Sequence, residues 1–191
     1  MLFVPLTVAV HTAFVTCVTA GAINSFAGPY NLILEKVYSC GQIEQGGVFI
    51  DGFRTTHFNP QKPNENQTVS CRIIIKERID DSWWVTAFAD KWSNNQWKKN
   101  YFVFHFPIAA CTSMRTNAPG SFQLLFKPES MTGECFISAD TYVVNNESFK
   151  LALPNFPTLV YGRYRTRIKL GHQTTNANFN TCFEFTVIPK T

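Results

Sequence analysis

Hydrophobic positions along this chain recur with a period of two far more often than with the 3.6-residue period of a helix. In Gly162–Leu170, Tyr164, Thr166, Ile168 and Leu170 alternate with Arg163, Arg165, Arg167 and Lys169. In Asn100–Phe106, Phe102, Phe104 and Phe106 share one face, while Tyr101, Val103 and His105 share the other. In Phe179–Ile188, Phe179, Phe183, Phe185 and Val187 line up, interrupted by Thr181. Such alternation predicts strands. Short runs of β-branched and aromatic residues add Asn31–Cys40, Gly47–Arg54, Ser70–Arg78, Trp84–Lys91 and Ser121–Phe126. Breakers separate these runs: Asn59-Pro60 with Pro63, Asp80-Asp81, Ser93-Asn94-Asn95, Pro119-Gly120, and Gly171. One helical turn is predicted over Phe106–Thr116, with Pro107 at a first helical position. The pattern is that of an all-β sandwich or barrel.

The chain of 191 residues has room for one domain with a sizeable core, and no repeat or low-complexity linker divides it. Its first residues, MLFVPLTVAVHTAFVTCVTAGA, carry no charged side chain and end in small residues. This predicts a signal peptide over 1–22, cleaved after Ala20 or Ala22, and a single domain over 23–191. The competing reading is a membrane anchor, against which Pro5, His11 and the threonines dilute the apolar run. The expected location is extracellular. The cysteines agree: without Cys17 they are Cys40, Cys71, Cys111, Cys135 and Cys182, an odd set with no CxxC spacing. Disulfides fit an oxidising compartment better than structural zinc, and no metal site is expected. Spacing alone does not choose the pairs. Two sequons, Asn66-Gln67-Thr68 and Asn146-Glu147-Ser148, lie in polar stretches where a glycan has room.

The net charge of +4 is mild, and the basic residues form no long run. Trp92, Trp97, Lys98, Lys99 and Tyr101 interleave aromatic and basic side chains as stacking platforms do, but a hairpin tip accounts for them equally. No nucleic acid partner is expected of a secreted chain. His57, His105 and His172 belong to no catalytic or metal-binding motif, and Asp80-Asp81 reads as a turn. No side chain is assigned a catalytic role and no cofactor is expected. The chain holds 18 phenylalanines and 4 tryptophans. They either fill a plain core or line an apolar cavity.

The segment Leu151–Leu170 joins two characters. Pro154 and Pro157 interrupt an apolar loop, and the strand after it puts a cation at every second position, which predicts that Arg163, Arg165, Arg167 and Lys169 form its solvent face. This segment also carries part of a family resemblance. The run Asn31-Leu-Ile-Leu-Glu-Lys-Val-Tyr-Ser-Cys40 resembles the opening strand of ganglioside-activator-like proteins. So do Cys135…Asp140-Thr-Tyr-Val-Val…Leu153-Pro154…Gly162-Arg-Tyr-Arg165 and the late Cys182. Within that group the chain looks most similar to the insect chemosensory B (CheB) proteins of the wider lipid-recognition superfamily. Phe136 departs from the proline that many relatives carry after the matching cysteine, and the activator has more disulfides.

The resemblance implies an immunoglobulin-like β-sandwich opened into a lipid-binding β-cup, with disulfides Cys40–Cys182 and Cys111–Cys135 and Cys71 left over. It places Leu151, Leu153, Phe156, Leu159 and Val160 at the rim of a cavity lined by strand residues such as Tyr164, Phe102 and Phe104. A buried crossover under the sheets would explain the same loop. The implied function is non-enzymatic carriage of a lipid, fatty acid or lipid-like pheromone, with a membrane surface or receptor as further partner. The implied setting is chemosensory. The alternative is an extracellular protein-interaction sandwich filled by its own phenylalanines.

Overall fold

The computed structural model describes residues 25–40, 47–63, 65–128, 131–172, 174 and 178–190. The expected signal peptide and Cys17 lie outside the described residues. In chain order the elements are β1 (Ala27–Gly28), β2 (Tyr30–Ser39), β3 (Val48–Thr55), β4 (Gln67–Ile75), β5 (Ile79–Asp80), β6 (Trp83–Ser93) and β7 (Gln96–Phe106). Two helices follow, α1 (Ala110–Asn117) and α2 (Pro119–Phe126). The chain then continues through β8 (Phe136–Ile137), β9 (Asp140–Phe149), β10 (Leu159–Val160), β11 (Gly162–His172) and β12 (Asn178–Pro189).

These strands make an all-β sandwich. A five-stranded sheet runs β2-β12-β11-β6-β7, and a three-stranded sheet runs β3-β4-β9, with antiparallel neighbours throughout. The smaller sheet turns Val69, Cys71, Ile73 and Ile75 of β4 inward on alternate positions. They meet Leu34, Val85 and Leu170 of the larger sheet and Ala110, Cys111 and Phe122 of the helices in one core. Edge strand β2 is closed by a side chain acting as a strand. The Leu34 N–H donates to Gln67 Oε1 and Gln67 Nε2 donates to the Leu34 carbonyl, each at 2.8 Å. A buried amide satisfied this way also leaves less free edge for another chain to pair with.

Two disulfides join Cys40 to Cys182 and Cys111 to Cys135, and Cys71 is a buried free thiol. That is the pairing the resemblance implies.

Three expectations are corrected. Ser121–Phe126 is part of helix α2, not a strand. Leu124, Leu125 and Phe126 run together without alternation, and Pro119, read as a breaker, occupies the first helical turn where its missing N–H costs nothing. Phe122 meets Phe126 at 5.4 Å and Phe126 meets Tyr142 of β9 at 5.6 Å, packing only a helix can make. Pro107 precedes α1 rather than starting it. The N-terminus of α1 is held instead by Asp81, whose carboxylate accepts from the Thr112 N–H at 2.8 Å and from the Thr112 hydroxyl at 2.6 Å. Third, the cations of β11 are not simply a solvent face. Arg165 and Arg167 grip Asp90, a residue only 1% exposed, and Arg163 reaches buried Glu184.

Candidate functional site

The inner face of the larger sheet carries an aromatic stripe whose geometry starts from two alanines. Register sets Ala87 and Ala89 of β6 between Phe104 and Phe102 of β7 on one side and Ile168 and Thr166 of β11 on the other. Side chains this small let the flanking rings lean over β6. Phe102 lies 6.4 Å from Tyr164 at 20° and Phe102 lies 6.3 Å from Phe104 at 28°. Tyr164 continues to Phe185 at 5.4 Å and 10°, and Phe185 to Phe183 at 5.8 Å and 29°. Such near-parallel pairs each add a fraction of a kcal/mol to about 1.5 kcal/mol beyond their burial.

Tyr164 is the buried centre of the stripe, and its hydroxyl donates to the Val160 carbonyl at 2.8 Å. Burial pushes its phenol well above the ordinary tyrosine range, with a small further push from Tyr101, so it remains a neutral donor.

The segment 150–161 covers this end of the stripe. Leu151, Leu153, Leu159 and Tyr161 pack on Leu32, Tyr164, Phe185 and Val187. Phe156 meets Phe104 edge-on at 5.1 Å. Ala152, Pro154, Asn155, Pro157 and Thr158 are exposed. The segment is therefore neither a free lip nor a buried crossover. It is a half-buried cover with an apolar underside and an exposed, proline-stiffened top.

Three attachments hold the cover. The Tyr30 hydroxyl donates to the Phe156 carbonyl at 2.7 Å and approaches the Leu153 carbonyl at 3.2 Å. Strand β10 pairs with β1, Gly28 opposite Leu159. A Cβ at Gly28 would sit 2.5 Å from the Tyr161 hydroxyl, so a side chain there would push that hydroxyl aside. At the far end Asn155 Nδ2 donates to Asn117 Oδ1 of α1 at 3.1 Å. Removing the first attachment alone, by Tyr30→Phe, should lower stability by about 1 kcal/mol. Amide exchange in 153–157 should quicken in the same variant; unchanged exchange would mean that Tyr30 does not hold the cover.

Of the residues expected at the site, Leu151, Leu153, Leu159, Tyr164 and Phe102 fall in one cluster, and Phe104 and Phe156 join through their ring contact. Val160 contributes its carbonyl to Tyr164 rather than a wall. Tyr30 was missed, because its role is a hydrogen bond across 126 positions of sequence. Phe183 and Phe185 were visible as an alternating face but were not assigned to the site.

The sequon asparagines are both exposed and face each other's hydroxyls across β4 and β9. Thr68 Oγ1 donates to Asn146 Oδ1 at 2.8 Å, and Asn66 Nδ2 donates to Ser148 Oγ at 3.1 Å.

Elsewhere, Ser82 Oγ and His172 Nε2 stand 3.0 Å apart. The serine hydroxyl also donates to Asp80 Oδ1 at 2.6 Å, which commits its proton to the carboxylate at the end of β5. Among the described residues no group of three His, Cys, Asp or Glu is placed to hold a metal ion, and no helix is long and apolar enough to cross a membrane. Neither protein-family models nor curated proteins give a match to the chain.

Proposed function

We propose that the protein is a secreted, non-enzymatic carrier of a hydrophobic small molecule, a lipid, fatty acid or lipid-like pheromone, taken up between the aromatic stripe and the 150–161 cover. One observation carries the reading. Phe102, Phe104 and Phe183 from the sheet and Leu151, Leu153, Phe156 and Leu159 from the cover are all only partly buried, where a finished core would bury them. Each ligand methylene sheltered there would gain about 0.8 kcal/mol, so a single acyl chain needs no covalent anchor. The two disulfides suit an oxidising, extracellular setting. The chemosensory setting, and delivery to a receptor or membrane, rest on the family resemblance alone.

The test is native mass spectrometry of protein from a secreting cell, with organic extraction, followed by titration of the delipidated protein with the neutral dye N-phenyl-1-naphthylamine. Bound lipid and saturable dye uptake are expected. Phe104→Ala should weaken the dye about tenfold by removing one aromatic wall. Protein that yields no lipid and takes up no dye would overturn the proposal. The mutual contact of the rings along the stripe would then favour the second reading, an extracellular interaction module filled by its own phenylalanines.

We further propose that Asn66 and Asn146 both carry glycans. Removal of N-glycans should lower the intact mass by two core units, and an unchanged mass would overturn this.

A further inference from the structure

Beside the cover, between its outer side and the start of β2, lies a hollow of about 230 Å³. Tyr30, Leu151 and Leu153 line it, and the same side chains wall the aromatic cluster. The hollow and the cluster therefore share a partition.

Its polar equipment is one-signed. Lys150 and Lys190 stand in its lining, no aspartate or glutamate does, and neither lysine has an ion-pair partner among the described residues. Asn31 also lines it. That residue is 8% exposed, yet its side-chain amide has no hydrogen-bond partner among the described residues. The amide is not sealed from solvent, so it meets water in the hollow, and an acceptor arriving there would take that water's place.

We infer that this hollow receives the carboxylate of a single-chain fatty acid whose hydrocarbon tail passes under the cover. Apolar walls suit the methylenes next to the head, the Asn31 amide supplies a donor, and the two lysines supply charge. Sites for whole drug-sized ligands run to roughly 300–1,000 Å³. A hollow of about 230 Å³ suits the head end of one chain and not a two-chain lipid. Tyr30 lines the hollow and packs on the cluster, and its hydroxyl bond to Phe156 is one of the attachments that opening for the tail would break. This inference rests on the carrier reading and names the ligand class for it.

Dodecanoate and dodecanol have the same tail and differ only in the head group, so displacement of N-phenyl-1-naphthylamine by each at pH 7.5 separates the two ideas. Dodecanoate is expected to displace the dye about tenfold more tightly, with the preference shrinking as salt is raised. The double variant Lys150→Gln/Lys190→Gln should lose the preference and leave dodecanol binding unchanged. Asn31→Leu should lose part of it. Equal binding of the acid and the alcohol would overturn the inference and leave the carrier reading standing. Binding of neither would overturn both. Lysine-dependent capture on phosphatidylserine vesicles without dodecanoate binding would also overturn it, and would assign the lysines to a membrane surface.

Discussion

Replacing Cys40 and Cys182 together by alanine is expected to destabilise the protein by up to about 5 kcal/mol, against about 3.5 kcal/mol for removing Cys111–Cys135. The difference comes from the unfolded chain. The first bridge closes a loop of 142 positions and the second a loop of 24, and a longer loop removes more freedom from the denatured ensemble. Position adds to the effect. Cys40 follows β2, the edge of the larger sheet, and Cys182 lies within β12, its sole partner in that sheet. Asn180 Nδ2 donates to the Cys40 carbonyl at 2.7 Å, which reinforces the same joint. Freed of the bridge, β2 should fray from this end toward Leu34 and the Gln67 clasp. Urea midpoints of the two alanine pairs, measured without reductant, decide the matter. An equal loss, or a larger one for Cys111–Cys135, would show that helix anchoring outweighs loop closure here.

What the sequence made legible, and what it hid, divides along physical lines. Strands β7, β11 and β12 are readable because one face of each turns inward, wholly or partly buried, and the alternation is interrupted only at Thr181. Strand β9 escaped notice. Its run Asp140-Thr-Tyr-Val-Val-Asn-Asn-Glu-Ser-Phe149 buries Val144 but leaves Val143 57% exposed. At Asn146 the backbone turns left-handed, with φ at 51°, beside a register shift that breaks the period of two. Helix α2 reads as a strand in sequence because an eight-residue segment with its apolar side chains at Phe122, Leu124, Leu125 and Phe126 is too short to carry a reliable period. The hairpin tip at Asn94-Asn95 was marked by its composition, and both residues take the positive φ such a turn demands.

The candidate site was half visible. Aromatic alternation exposed Phe102, Phe104 and Tyr164, and the prolines marked the cover. The tuck of that cover is tertiary information: it depends on Tyr30, on the β1–β10 pair and on the end of α1, all remote in sequence. The arginines of β11 show the same limit. Alternation correctly put them opposite Tyr164, but nothing local announced that a carboxylate on β6 lay beneath them.

That carboxylate carries the other large effect. Asp90→Ala is expected to cost about 3–5 kcal/mol, because breaking a buried charge pair strands its partners. Asp90 accepts from the Asn100 N–H at 2.9 Å and from Arg165 at 2.8 Å, and it faces Arg167 at 3.4 Å. The Arg165 guanidinium lies 4.7 Å from the Trp97 ring, and the buried Nε atoms of Arg165 and Arg167 already lack hydrogen-bond partners. Without the carboxylate, two adjacent cations would repel each other over a low-dielectric surface, and the Asn100 N–H would lose its acceptor. Asp90→Asn keeps an acceptor and should cost about 1–3 kcal/mol. The pH dependence gives a sharper test. Burial pushes the Asp90 carboxyl up, but the Asn100 N–H and the two arginines outweigh it and hold the group below its ordinary range. Its folded value therefore lies under the unfolded one, near 3.9. The stabilisation is complete above that value and is lost as pH falls through the folded one. Stability measured by urea from pH 6 down to pH 2.5 should thus decline less steeply in Asp90→Ala than in the wild type. Part of the slope should remain in the variant, since burial of Glu184 is likewise outweighed by Lys36, Tyr38 and Arg163, leaving that carboxyl low as well. If the variant lost under 1 kcal/mol and kept the wild-type slope, the β11 arginines would be the solvated face that alternation alone suggests.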